Sequence, residues 1–261
     1  MAHFVPDLDA AARLLDKLGF AVTPVSHHKV SGQPAGTSNR CVMLEQGYLE
    51  ILAPTLDTPN ARRVRSHMAR YRGVHLACFG TPDADFEHQR LAAHGFEPEP
   101  VVALQRTLKT GELARFKVVY VPPRKMPEGR VQYVEQLTPG QLWKKPFVNR
   151  LSLKEVFVVA RNPARTAARW AEFAGLLPRA QGEMVRLDAA RGSVLVATRK
   201  TLSRLLGNAP PAPGIAGYSL ACKDPRAMAG RCRKAGLAVK RGGGGYVVTL
   251  PPALGGTWLL L

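Results

Sequence analysis

Hydrophobic and polar positions are arranged along this chain in one unit that occurs four times. Each copy contains an apolar run with strand character, an Asp or Asn next to Pro, a short amphipathic helix and a closing Gly. The copies occupy residues 3–20, 74–96, 156–176 and 218–237. Self-similarity of this kind is the sequence signature of repeated structural units. The pattern predicts four modules that begin near residues 1, 73, 152 and 215.

Each helix of the repeat carries local start and stop signals. An Asp or Asn at its start can accept a free backbone N–H, and a Gly after its end can adopt the left-handed conformation. The two residues are 12 or 13 positions apart in every copy. The pairs are Asp7 and Gly19, Asp83 and Gly95, Asn162 and Gly175, and Asp224 and Gly236. Apolar residues of the first helix also form a single stripe, so a sheet is the expected packing partner.

The segments that follow the helices have β character. They are residues 41–54, 114–137, 184–198 and 242–261. Strand pairs joined by short turns are the natural interpretation, with one further strand in each module. The tetraglycine 242–245 is interpreted as a hairpin turn or connection, because neither the Lys nor the helix of a phosphate-binding loop follows it.

The predicted fold class is α+β, with four βαβββ modules paired into two cupped, mostly antiparallel sheets. Units 2 and 4 share the sequence Leu-Ala-Cys, at 76–78 and 220–222, so the two halves are interpreted as duplicates. Pro, Gly and basic residues interrupt the periodic pattern over 138–150. The predicted domains are therefore residues 1–140 and residues 151–261.

Composition limits the class of protein. The chain has 261 residues, of which 46% are hydrophobic, so it can bury a sizeable core, and disorder is excluded. No apolar run approaches the ~20 residues that cross a bilayer, and the N-terminus lacks the pattern of a secretory signal. The four cysteines include no CxxC pair, which indicates reduced, mostly buried thiols. A soluble, cytoplasmic protein without a membrane partner is expected.

The chain is strongly basic, with 37 Lys and Arg against 19 Asp and Glu, a net charge of +18. Most of the excess lies after residue 150. Such asymmetry can mark a nucleic-acid surface, but a solvated basic face is the favoured interpretation. The basic, helix-like stretch 61–70 has no aromatic platform or recognition motif beside it, so a nucleic-acid partner is disfavoured.

Three polar residues on predicted strands are candidates for chemistry: Glu50, His75 and Glu135. A buried ionised group is costly unless it is paired, hydrogen-bonded or bound to a metal. Imidazole and carboxylates together suit a divalent metal such as Fe, Mn, Zn or Ni. The alternative is that both glutamates pair with arginines and that His75 is a core histidine with satisfied hydrogen bonds. Sequence spacing leaves both interpretations open.

At these residues the sequence resembles a known superfamily, the vicinal oxygen chelate proteins, and within it the bacterial glyoxalase-like domain proteins. The resemblance covers about residues 1–150. The segments that carry it are HFVPDLDAAARLLDKLGF (3–20), GTSNR (36–40), GYLEILAP (47–54), GVHLACF (73–79) and VQYVEQLTPGQLW (131–143), followed by Asn149.

The resemblance implies a metal held by Glu50, His75 and Glu135, with Glu135 as catalytic base. Thr37 and Asn39 are candidates for substrate contact, with turn formation by Gly-Thr-x-Asn as the equal alternative. A fourth ligand of the family would lie about seven residues before Asp7, ahead of the first residue given. We expect either a longer first strand or a three-residue site.

Three histidines bear on that missing ligand. His3 has an odd offset from the expected place and should point to the opposite face of its strand. His27 or His28 could compensate.

The function implied is that of a metal-dependent enzyme of lyase or isomerase type, or a dioxygenase, that acts on a small oxygenated molecule. The alternative is a non-catalytic protein that binds and sequesters a small molecule. In the second half, Leu195 and Ser219 replace Glu50 and His75, and Glu155 stands alone at a first-strand position. That half is predicted to be a metal-free scaffold. The sequence leaves a homodimer open.

Overall fold

The computed structural model describes residues 1–108 and 111–261, without the side chain of Gln46. Six α-helices lie in the described part of the chain. They are α1 (Leu8–Lys17), α2 (Pro59–Met68), α3 (Ala84–Ala93), α4 (Pro163–Ala174), α5 (Arg199–Leu206) and α6 (Pro225–Lys234). Two short 3₁₀ turns, Pro139–Gln141 and Lys145–Phe147, lie in the predicted seam between the halves.

The strands fall into four groups, one for each predicted module. The first eight are β1 (Ala2–Phe4), β2 (Ser26–Val30), β3 (Gln33–Gln46), β4 (Tyr48–Pro54), β5 (Gly73–Gly80), β6 (Val102–Thr107), β7 (Leu113–Tyr120) and β8 (Arg130–Gln136). The others are β9 (Val148–Val159), β10 (Pro178–Gln181), β11 (Met184–Ala189), β12 (Gly192–Ala197), β13 (Gly214–Cys222), β14 (Ala238–Gly242), β15 (Gly245–Thr249) and β16 (Thr257–Leu260). Strands β1, β5, β9 and β13 open the modules near the predicted positions.

The helix signals of the repeat are confirmed. The side chains of Asp7, Asp83, Asn162 and Asp224 each accept backbone N–H groups at the start of α1, α3, α4 and α6. The glycine after each of these helices has a positive φ, between 64° and 86°. The tetraglycine forms the turn between β14 and β15, as expected.

The first eight strands close into a barrel. Their order is β3-β2-β6-β7-β8-β5-β1-β4, and pairing of β3 with β4 completes the ring. Pairs β1–β4 and β5–β8 are parallel, and the other pairs are antiparallel. The barrel brings one face of every strand toward a common interior.

The last eight strands form an open curved sheet that continues the barrel. Strand β9 pairs with β13 and β12, and it also pairs in parallel with β3, with Met43 opposite Val148. The predicted α+β class with four βαβββ modules is confirmed. The two predicted sheets are joined through β3 and β9 into one sheet, and the division into domains 1–140 and 151–261 stays a prediction.

Buried polar contacts connect the two halves. His3 Nδ1 lies 3.1 Å from the carbonyl oxygen of Leu254, which can only accept, so this nitrogen donates. Nε2 is then the acceptor, and the Tyr218 hydroxyl, 2.8 Å away, donates to it. The Trp258 indole N–H donates to the same hydroxyl at 2.6 Å. His3 thus faces the second half, on the far side of its strand from the barrel interior.

Two sequence-based expectations concern the environment of the protein. Within the described residues, no helix is both long and apolar enough to span a membrane. All four cysteines are free: Cys41 and Cys232 are buried, and Cys78 and Cys222 are half-buried. The cytoplasmic location stays a prediction.

Candidate functional site

The barrel encloses a cavity of about 250 Å³. Because side chains alternate across a strand, every second residue of each barrel strand faces this space. Strand β6 contributes Val102, Leu104 and Arg106, and β8 contributes Arg130, Gln132 and Val134. Strand β4 contributes Tyr48, Glu50 and Leu52. The cavity wall thus combines apolar side chains with charged and amide groups.

A chain of polar contacts crosses one wall of the cavity. The Asn39 amide nitrogen donates a short hydrogen bond to Glu50 Oε1. The amide oxygen of Asn39 accepts from the Arg106 guanidinium at 3.3 Å. Asn39 is 2% exposed, so its two ends are held between an acid and a base away from solvent. The Glu50 carboxylate keeps a fixed position at the cavity surface, where 13% of the side chain remains exposed.

His28 lies beside Glu50 as a neutral imidazole. Its Nδ1 is 2.9 Å from the Thr37 hydroxyl, and its Nε2 is 3.9 Å from Glu50 Oε1, which is too long for a hydrogen bond. Burial lowers the pKa of His28 to about 3, and the positive charges of Arg106 and Arg130 act in the same direction. His28 therefore carries no charge at pH 7.

Two arginines face the same cavity, each over an aromatic ring. The Arg106 guanidinium carbon lies 4.8 Å from the centre of the Phe116 ring. The Arg130 guanidinium carbon lies 4.2 Å from the centre of the Tyr120 ring. Stacking of this kind favours the charged group and fixes the plane of the guanidinium.

His75 does not line the cavity, and β5 contains a bulge at this residue. Opposite β1, Leu76 pairs with Ala2 and Val74 pairs with His3, so His75 is the extra residue. Its Nε2 donates to the Tyr71 carbonyl at 2.9 Å. The ring is fully buried and packs 4.2 Å from the ring of Tyr71, centre to centre. Leu76 is the residue of β5 that reaches the cavity.

Glu135 lies on the outer face of β8. Gln132 and Val134 point into the barrel, so Glu135, with Tyr133, points away from it. Its Oε2 accepts the backbone N–H of Ala84 at 3.0 Å, at the start of α3. The carboxylate therefore supports a helix terminus.

The predicted convergence of Glu50, His75 and Glu135 is corrected by these positions. Among residues 1–108 and 111–261, no three His, Cys, Asp or Glu side chains form a group that could hold a metal ion. The buried Nδ1 of His75 has no hydrogen-bond partner in the described part of the chain, but its neighbours are rings, not carboxylates.

The surroundings of Glu50 also suit a metal cation poorly. The facing strands present Leu76 and Gln132, and two guanidinium groups lie on the same cavity wall. Positive charges this close repel a divalent ion. The residues present therefore do not fit the metal that the resemblance implies.

Thr37 and Asn39, predicted to contact substrate, both lie in the cavity wall. Their contact with a ligand stays a prediction. The sequence interpretation did not consider Arg106, Arg130 or Gln132. A usable signal was present in VALQRT, because Arg106 shares a strand face with Val102 and Leu104.

In the second half, the residues at the corresponding positions contact one another or the core. Arg186 donates to Glu155 at 2.9 Å, and the Ser219 hydroxyl donates to the same carboxylate at 3.0 Å. Leu195 is buried in an apolar cluster. Glu155 therefore already has an ion-pair partner.

The chain resembles known proteins in sequence and in fold. The model of a family described as a glyoxalase-like domain matches residues 1–174. No curated protein matches the chain.

Two solved structures share the fold over nearly the whole length. A hypothetical protein from Staphylococcus aureus is 11% identical, with a TM-score of 0.68 over 100% of this chain and 97% of that one. A mutant of 4-hydroxymandelate synthase from Streptomyces coelicolor is 17% identical, with a TM-score of 0.59 over 99% of this chain and 90% of that one. Identities this low show the fold alone. Together with the match to the family model, they show that the chain belongs to the glyoxalase-like domain family of the vicinal oxygen chelate superfamily.

Proposed function

We propose that this chain is a small-molecule-binding protein whose ligand occupies the cavity of the N-terminal barrel. The observation that carries this proposal is the cavity of about 250 Å³, whose wall combines apolar side chains with fixed polar groups such as Thr37, Asn39 and Glu50. Binding sites for small molecules typically combine an apolar lining with a few fixed polar groups. The polar groups are already held in place by one another, so little order needs to be gained on binding.

The metal-dependent lyase, isomerase or dioxygenase activity implied by the sequence resemblance has less support. That activity requires a ligand set at one place, whereas His75 and Glu135 each have structural contacts outside the cavity. The second half offers no replacement site, because Glu155 is paired with Arg186.

Filling the cavity should remove binding. Leu104→Trp adds a large ring to the cavity wall, whereas Ala103→Trp places the same ring on the exposed face of the same strand. We expect compounds from a panel of small aromatic and aliphatic molecules to raise the melting temperature of the natural protein and of Ala103→Trp. The same compounds should have no effect on Leu104→Trp, as measured by differential scanning fluorimetry. Equal stabilisation of all three proteins would place the ligand elsewhere.

Proton transfer by Glu50 is a second candidate function. Its carboxylate faces the cavity, accepts a hydrogen bond from Asn39 and lies beside a neutral imidazole, His28. A carboxylate so placed can remove a proton next to a carbonyl group of a bound molecule and return it, which is the elementary step of an isomerase.

Glu50→Gln tests this candidate, because the amide keeps the shape of the side chain but cannot accept a proton at neutral pH. Deuterium uptake by 4-phenylbutan-2-one in D₂O, followed by NMR, should be accelerated by the natural protein. We expect the variant to lose about 100-fold or more of that acceleration without losing affinity. The control is Glu99→Gln, at the cavity wall beside Arg63. If both variants exchange at the natural rate, Glu50 is not the base.

A further inference from the structure

The chemical class of the ligand can be inferred from the charges that line the barrel cavity, and this inference rests on the proposed function. Arg106 is the more buried of the two cavity arginines, at 7% exposed. Its guanidinium donates to Asn39 Oδ1 at 3.3 Å and to Cys41 Sγ at 3.5 Å, and it lies over Phe116. These contacts hold it in one orientation but provide no negative charge in direct contact.

Arg130 approaches the cavity from β8 with a similar set of contacts. Its guanidinium lies over the Tyr120 ring and donates to Asn60 Oδ1 at 3.2 Å. A neutral amide and an aromatic face orient the group and leave its charge uncompensated.

Neither guanidinium has a carboxylate within the 4.0 Å of an ion pair, in the part of the chain that the structure describes. Arginines that are buried in this way are normally paired, because the charge is costly to remove from water. An anion supplied by a ligand would complete both sites.

The charges of the cavity wall do not balance. Arg63 and Glu99 compensate each other at 2.9 Å. Glu50 contributes one negative charge against the two positive charges of Arg106 and Arg130, and His28 is neutral because burial lowers its pKa. The lining therefore has one excess positive charge, which a ligand with a single negative charge would neutralise.

The rest of the lining sets the shape and polarity of the ligand. Leu52, Leu76, Leu104, Val118 and Val134 form an apolar wall. A dry cavity of roughly 150 Å³ in another protein holds benzene, so about 250 Å³ accommodates one ring with a short chain.

We infer that the ligand is a small organic carboxylate, with one negative charge on an apolar body of about one ring, and that Arg106 and Arg130 supply the counter-charge for its carboxylate. Planar guanidinium groups pair well with carboxylates, and hydrogen bonds between charged groups are about twice as strong as neutral ones. Glu50 lies on the same cavity wall, and its negative charge favours a ligand with one anionic group over a ligand with two.

The test compares 3-phenylpropanoate with 3-phenylpropanamide, which has nearly the same shape but no charge. Isothermal titration calorimetry at pH 7.5 should show that the natural protein binds the acid about tenfold or more tightly than the amide. Arg130→Gln should remove that preference by weakening the acid alone, and Arg130→Lys should retain much of it. Arg130 is used because it is less buried than Arg106, and melting temperatures verify that each variant is folded.

The matched control is the double variant Lys117→Gln with Asp85→Asn, which removes an ion pair outside the cavity without changing the net charge. We expect its preference for the acid to be unchanged. Equal affinities for acid and amide in the natural protein, both abolished by Leu104→Trp, would overturn the carboxylate inference and leave the proposed binding function standing. Failure of both compounds to bind the natural protein at millimolar concentration would count against both proposals.

Discussion

The free energy of unfolding should fall steeply as the pH decreases from 6.5 toward 4. Four histidines are buried, and burial lowers the pKa of each: to about 4 for His3 and His67, and to about 3 for His28 and His75. Between those values and 6.5 the unfolded chain binds more protons than the folded chain, so stability increases with pH. Each histidine can contribute up to about 1.4 kcal/mol per pH unit in this window. Above pH 7 the effect vanishes, since both states are neutral.

Burial is the main cause of these low pKa values, and positive charges near His28, His67 and His75 act in the same direction, although Glu50 lies 3.9 Å from His28. His28 faces the positive charges of Arg106 and Arg130. The rings of His67 and His75 pack 5.9 Å apart, centre to centre, with the charge of Arg70 nearby.

The measurement is a set of urea unfolding curves between pH 4.5 and 8, with the natural protein compared with His67→Phe. This variant keeps a ring against Phe4 but removes one titrating group. The free energy of unfolding should then fall less steeply with decreasing pH, because about one proton fewer is taken up on unfolding. His94→Gln is the control, because it removes a histidine whose side chain is exposed. An unchanged slope in His67→Phe, or a stability independent of pH below 6.5, would contradict the assignment.

Local signals in the sequence were sufficient to predict the helices of the four modules. The Asp or Asn before each helix and the Gly after it act within one turn of the chain, so they need no knowledge of the tertiary structure. The helices that follow Asp7, Asp83, Asn162 and Asp224 were predicted for this reason. The pairing partner of each strand was harder to predict, because pairing depends on residues distant in sequence. The joining of the two sheets through β3 and β9 was not predicted.

The position of Glu135 shows what strand periodicity leaves open. The alternation correctly placed Glu135 on one face with Tyr133 and Val131. The outer face, with Val131 and Tyr133, packs in the core, whereas the face with Arg130, Gln132 and Val134 lines the cavity. Periodicity separates the faces but does not indicate which one lies inside a barrel. Glu50 faces the cavity, whereas Glu135 faces α3.

His75 was misplaced because its face of β5 was taken for the cavity face. The alternation placed His75 with Ala77 and Phe79, which pack in the core, whereas Leu76 of the other face reaches the cavity. A bulge against β1 at His75 adds a local irregularity. Bulges are defined by pairing with a neighbouring strand, which the sequence of β5 alone does not contain. Arg106 and Arg130 were overlooked because arginine is usually exposed, and among 37 basic residues one buried and one half-buried arginine are hard to distinguish.

Replacing Glu128 by Ala should destabilise the contact between the two halves of the chain. Glu128 precedes β8 and is 1% exposed. Its Oε2 accepts the Trp170 indole N–H at 3.1 Å, and its Oε1 forms a short ion pair with Arg169, both on α4. The variant leaves a fully buried N–H and a largely shielded guanidinium without their partner, which costs about 2–4 kcal/mol. The melting temperature should fall by about 5–15 °C.

Glu97→Ala is the matched control for this prediction, because Glu97 also pairs with two basic residues, Arg124 and Lys125, but at the surface. Water replaces an exposed ion-pair partner at little cost in free energy, so this variant should have the same melting temperature as the natural protein. Glu128→Gln separates charge from hydrogen bonding: it can still accept from Trp170, so its loss should lie between those of the other two. Differential scanning calorimetry on all four proteins gives the comparison. Equal melting temperatures for Glu128→Ala and Glu97→Ala would mean that the buried acid does not hold α4 against the barrel. A separate, earlier transition in Glu128→Ala alone would mean instead that the second half can unfold while the barrel remains folded.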